Sequence, residues 1–166
     1  MDKKTAAATL LLVLLAAPLS AEPLVGTAAR RSSLGVVFDA ALASASEKLA
    51  SPGCRLVLSD FRDTSGVTLA EKLSEAGLSA PEFLARLEFR DGRNEGICHR
   101  RHVDAFTAVG GSTVWTCPGG SLSLGGENAR GGANTLIHEM LHALGLPENP
   151  PTSQEINQRV RERCGL

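Results

Sequence analysis

The stretch "HEMLHALGLPEN", His138 to Asn149, sets two histidines one helical turn apart with a glutamate between them, and this spacing can do chemistry. At about 100° per residue, positions i and i+4 lie roughly 40° apart on a helix, so both imidazoles can reach one metal ion. Glu139 stands beside them, close enough to take a proton from a water on that ion without ligating it. A catalytic metal also needs a third protein ligand and an open position. Gly145 can adopt the left-handed conformation that turns a chain at a helix end, so Glu148, three residues on, can swing back over the metal. A His138, His142 and Glu148 set with Glu139 as base is the equipment of a zinc metallohydrolase: the metal acidifies a water, and the hydroxide attacks a polarised carbonyl. Glu155 in "TSQEIN" is the other candidate third ligand, but Thr152 and Glu155 also have capping-box spacing, which accounts for Glu155 without a metal. Glu148 is therefore preferred.

"HEMLH" followed by "ALGLPE" resembles the zincin superfamily of zinc metallopeptidases, and Gly145 with Glu148 is similar to the extended motif of its metzincin branch. The likeness covers His138 to Glu148. It implies zinc ligation by His138 and His142, Glu139 as general base, and a peptide or protein substrate. This chain departs from metzincins in ending the motif with Glu148 rather than His or Asp, and no methionine follows Met140 to form their methionine turn. Glutamate as third ligand is the habit of the thermolysin-like branch, where it comes from a later helix. The longer phrase "LIHEMLHALGLPENPPTSQEI" is similar to small secreted bacterial proteins of unassigned activity.

An acyl-transfer site also wants a group to hold the oxyanion, commonly Tyr, His or Arg. The chain has no tyrosine. The candidates are His99, Arg100, Arg101 and His102 in "CHRRH", weighed against the plainer reading of a solvated basic loop. His99 and His102 as a second metal site is weaker. "STVWTC", Ser112 to Cys117, is the segment expected along the cleft as an edge for a peptide to pair with, and Trp115 is expected in the core.

These residues must be positioned by elements that the rest of the chain supplies. The site helix is expected to start near Asn134 or Thr135 and to stop at Gly145, with Ile137, Met140, Leu141 and Leu144 anchoring its back. Leu34, Val37, Phe38, Ala41, Leu42 and Ala45 have helical spacing behind a Ser32 or Ser33 cap. "RLVLSDF", Arg55 to Phe61, reads as a buried strand after the turn "SPGC". Thr68 with Glu71 and Ser79 with Glu82 each open a short helix by a capping box. "LEFRDG", Val103 to Ala108 and "STVWTC" read as strands, and the Gly-rich "PGGSLSLGGENARGG" as a loop or linker. The expected fold is α+β: a small zincin-like domain with a mixed sheet, a back helix and the histidine-bearing helix, over residues 32–166.

"MDKKTAAATLLLVLLAAPLSA" has a basic start, an apolar run from Ala6 to Ala17 and a small residue at Ala21, and reads as a signal peptide over residues 1–21, with a variable arm at 22–31. The run is too short to span a bilayer, so stable membrane insertion is not expected once the segment is cleaved, and a retained anchor is the alternative. Cleavage removes Asp2, Lys3 and Lys4 from a chain with 17 basic and 18 acidic residues, leaving a net charge near −2. No basic stripe interleaved with aromatics points to nucleic acid. The four cysteines of an exported chain read as two disulfides, with Cys54 to Cys98 and Cys117 to Cys164 the favoured pairing. The sequence thus points to a secreted zinc metallopeptidase, periplasmic or extracellular. The alternative is a secreted, disulfide-stabilised binding or structural module that keeps the fold without hydrolysing anything.

Overall fold

A computed structural model describes residues 35–122 and 128–166. The signal-like segment, the arm and the Ser32 and Ser33 caps lie outside these residues. The described chain is a small mixed α+β domain of six helices and a three-stranded sheet.

Helix α1 (Gly35–Ala50) buries Phe38, Ala41, Leu42 and Ala45 of the stripe that the sequence marks out, and Leu49 with them; Val37 is half-buried and Leu34 lies outside the described residues. It ends at Ser51, whose hydroxyl accepts from the Cys54 N–H and so caps the next helix, α2 (Pro52–Asp60), with Pro52 in its first turn. The expected strand at Arg55–Phe61 is therefore a helix. Cys54, Val57 and Leu58 are its buried residues, an i, i+3, i+4 set, and a run as short as "RLVL" does not distinguish that pattern from a strand. Ser51 and Pro52 start an element rather than end one.

Helices α3 (Leu69–Glu75) and α4 (Ala80–Arg86) open at the expected boxes: the Thr68 N–H donates to Glu71 and the Ser79 N–H to Glu82. Strand β1 (Glu88–Asp91) follows, then a 3₁₀ turn (Gly96–His99), β2 (Ala105–Thr107) and β3 (Thr113–Thr116). β3 lies in the middle, parallel to β1 with Arg90 opposite Trp115, and antiparallel to β2 with Phe106 opposite Trp115. "STVWTC" is thus paired on both sides, and β1 and β2 are the two edge strands. The Phe38 ring meets Phe89 edge to face at 5.0 Å, joining α1 to the sheet.

Helix α5 (Asn128–Ala143) begins well before Asn134, so part of the Gly-rich segment is helical. The reason is close packing. A Cβ at Gly132 would sit 2.7 Å from the Ala41 Cβ, so the glycine lets α5 press against α1. Leu136, Ile137, Met140 and Leu141 are fully buried on its back. Helix α6 (Ser153–Cys164) is capped by Thr152 and Glu155 in a full capping box.

The disulfides are Cys54 to Cys164 and Cys98 to Cys117, correcting the expected pairing. Because α2 is a helix lying along α6, Cys54 faces the C-terminus. Gly53 permits that approach, since a Cβ there would meet the Arg163 carbonyl at 3.0 Å, and the Arg163 guanidinium donates twice to Asp60. Among the described residues no helix is long and apolar enough to cross a membrane.

Between α2 and α3, Asp63 accepts from the Ser65 hydroxyl, the Ser65 N–H and the Val67 N–H and pairs with Lys72 at 2.9 Å. The Ser65 hydroxyl first, then Lys72, hold its carboxyl well below the usual carboxylate range. A depressed folded-state pKa stabilises above the unfolded value, near pH 4, and that stability is lost as pH falls. Asp63→Asn should therefore lower the melting temperature at neutral pH, and the gap to wild type should begin to narrow only as the pH falls below about 4. An equal gap at all pH values would show that the charge of Asp63 contributes nothing.

Candidate metal centre

The front of α5 carries His138, Glu139 and His142, all buried, in the wall of a cleft of about 430 Å³. Their placement follows from the helix period and the apolar back: fixing Ile137, Met140 and Leu141 in the core leaves these three facing the space under β2. Helix α5 ends as the sequence suggests. Gly145 has φ 111, its N–H donates to the His142 carbonyl, and the Leu146 N–H reaches back to the Leu141 carbonyl. This is a Schellman turn, with Leu141 and Leu146, the positions that flank it, both buried. It sends the chain back so that a carboxylate oxygen of Glu148 and one ring nitrogen from each of His138 and His142 lie within 4.8 Å of one another, a group that could hold a metal ion. Glu155 is not in this group. Its carboxylate is taken by Thr152, as the capping reading requires.

The ring orientations are set from outside. His142 Nδ1 lies 2.8 Å from the Leu146 carbonyl, which can only accept, so the proton is on Nδ1 and Nε2 keeps a lone pair. His138 Nδ1 lies 3.0 Å from Asn157 Oδ1 on α6, which also accepts from Asn134 Nδ2 at 2.7 Å. His138 Nε2 is therefore a lone pair as well. The two Nε2 atoms stand 3.0 Å apart in a buried wall. Two acceptors at that distance repel, whereas one ion about 2.0–2.1 Å from each satisfies both. Protonating His138 is the other escape, and burial opposes it, pushing that imidazole down to about 4. The donor set fits a divalent metal.

Glu139 is held by the Thr107 N–H at the edge of β2, and its Oε2 has no partner. Burial, then the charge of Glu148, raise this carboxyl to about 8. Of the basic cluster, Arg100 and His102 line the cleft, whereas His99 and Arg101 do not. The Cys98–Cys117 disulfide ties this turn to the end of β3, and Gly92 makes room for it, since a Cβ there would lie 2.7 Å from Cys98 Sγ. β2, rather than the expected "STVWTC", borders the cleft, and Trp115 is half-buried on the outer face of the sheet rather than in the core.

Sequence reasoning missed Asn157, the Leu146 carbonyl and Thr107. Only Asn157 left a trace. An asparagine in mid-helix is unfavourable without a specific partner, and Asn157 follows buried Ile156 in an otherwise charged helix. Asn134 and Thr135 were expected as caps and are interior residues, Asn134 bonded to Asn157 and Thr135 to the Gly131 carbonyl.

Because Gly145 is left-handed and a Cβ there would also meet Lys72 Nζ at 2.7 Å, Gly145→Ala should cost about 1–3 kcal/mol in denaturant unfolding. A change within error would mean that the turn is not strained by a side chain. No protein-family model, no curated protein and no solved structure matches this chain.

Proposed function

We propose that the chain is an exported zinc-dependent peptidase of the zincin type, with His138, His142 and Glu148 as zinc ligands and Glu139 as general base. The observation that carries this reading is the pair of Nε2 lone pairs, 3.0 Å apart, with both Nδ1 atoms committed to acceptors behind them. Two imidazoles and a carboxylate with one side open to a cleft is the donor set of a catalytic rather than a structural zinc. A bound zinc ion supplies Lewis acidity, acidifying a water and polarising a substrate carbonyl.

The protein's own groups do the rest. Glu139 is anchored through one oxygen by Thr107 and has Oε2 free; the positive charge of a bound metal would favour its ionised form, which would take the proton of the attacking water and pass it to the leaving amine. Arg100 and His102, both exposed, line the same cleft and supply donors for the oxyanion, the role for which the chain has no tyrosine. The Thr107 N–H turns away from β3 towards Glu139, so the outer edge of β2 faces the site and an extended peptide can pair with it. Two disulfides suit an oxidising compartment. The absence of tyrosine favours the second reading, a binding module that keeps the metal but hydrolyses nothing.

Mass spectrometry of the folded protein should find one zinc per chain, lost in His142→Ala. Glu139→Gln should keep the zinc and lower kcat on a peptide library by about 100-fold or more. If wild type and Glu139→Gln behave alike, the peptidase reading falls and the binding module stands. Asn157→Leu removes the acceptor behind His138 and should weaken zinc affinity by roughly ten- to a hundredfold in a chelator competition titration. Unchanged affinity would show that the asparagine does not orient the ring.

A further inference from the structure

Across the outer face of the sheet runs a row of three side chains, one from each strand. Arg90, Trp115 and Phe106 are register partners, Arg90 with Trp115 and Trp115 with Phe106. The Arg90 guanidinium lies 5.5 Å from the Trp115 ring centroid, and the Phe106 and Trp115 rings stack at 6.4 Å with 15° between planes. Neither ring is in the core, which is built from the alternate positions Ala105, Val114 and Thr116 on the other face. A cavity of about 420 Å³ runs beside this row, and it shares Ile97, Phe106 and Thr107 with the metal cleft. Ile97, 39% exposed, stands where the two meet. An apolar shelf thus continues outward from the metal centre past the outer edge of β2.

We infer that this shelf is a specificity subsite, and that the substrate is a peptide presenting a large apolar side chain, aliphatic or aromatic, to Phe106, Trp115 and Ile97. The substrate identity rests on the peptidase reading; the geometry of the shelf does not. A strand laid on the outer edge of β2 places alternate side chains on the two faces of the enlarged sheet. The one beside Phe106 on the outer face becomes the fourth member of the row. Cross-strand neighbours are the unit of recognition in a sheet, and an aromatic edge favours an apolar partner over a charged one. The Cys98–Cys117 disulfide fixes the turn that carries Ile97, so the shelf is formed before substrate arrives.

The test uses the zinc-loaded protein and a positional-scanning library of blocked octapeptides. At one position, Leu, Ile or Phe should be preferred over Asp by on the order of tenfold in kcat/KM. Trp115→Ala, and separately Ile97→Asp at an exposed site, should collapse that ratio. Cleavage with no such position, or a preference that both variants leave intact, overturns the subsite and leaves the peptidase reading standing. A second readout does not need turnover. Trp115 is the only tryptophan of the chain, so its emission reports on the shelf directly. With zinc-loaded Glu139→Gln, a blocked Leu-rich peptide should shift the emission to the blue and an Asp-rich one should not. If the wild type cleaves nothing, the peptidase reading fails and this shift decides the subsite: its presence upholds the apolar shelf, and its absence overturns it.

Discussion

Everything around the histidine pair is arranged to hold two like groups where they repel. Left alone, the two rings could rotate apart or His138 could take up a proton, and the fold opposes both. The Leu146 carbonyl and Asn157 Oδ1 fix the rings from behind, and burial opposes a proton. The fully buried face of α5 lies directly behind the site, so the histidine pair is held as part of one rigid body.

That body is tied together by close approaches. Gly132 against Ala41 brings the site helix onto α1, and Gly53 against the Arg163 carbonyl brings α2 onto α6. The Cys54–Cys164 disulfide and the Asp60–Arg163 pair close the second contact. α6 supplies Asn157, so a contact at the far end of the domain bears on the orientation of His138. The sheet contributes differently: β1 and β3 anchor β2, whose outer edge reaches Glu139 through Thr107.

The parts of this architecture that local rules govern were legible in the sequence. The stripe of α1, the boxes at Thr68, Ser79 and Thr152, the strand character of β1 and β3, and the turn at Gly145 each depend on residues within a few positions. The grouping of His138, His142 and Glu148 followed from the same kind of reasoning. What was misread depends on partners distant in sequence. α2 was taken for a strand because its short apolar run fits either period, and the expected cysteine pairing, favoured because Cys117–Cys164 would bracket the site helix, gives way to Cys54–Cys164 because α2 packs along α6. Gly131 and Gly132 read as loop because glycine disfavours helices, and the close crossing with α1 outweighs that preference. Trp115 was placed in the core by its size, whereas the pairing of β3 on both sides puts it on the outer face.

One turn at the end of α5 does three things: it closes the helix at Gly145, it offers the Leu146 carbonyl to His142, and it returns Glu148 to the histidines. In thermodynamic terms these are a single linked equilibrium. Any ion bound by the three side chains favours the closed helix end over its frayed form, by about 2.7 kcal/mol at a free concentration a hundred times the dissociation constant. By the same cycle, the apparent affinity falls in proportion to the fraction of molecules whose helix end is frayed. The length of the segment from His142 to Glu148 is thereby locked: one residue added or removed would break the helix stop, the ring orientation and the third donor together.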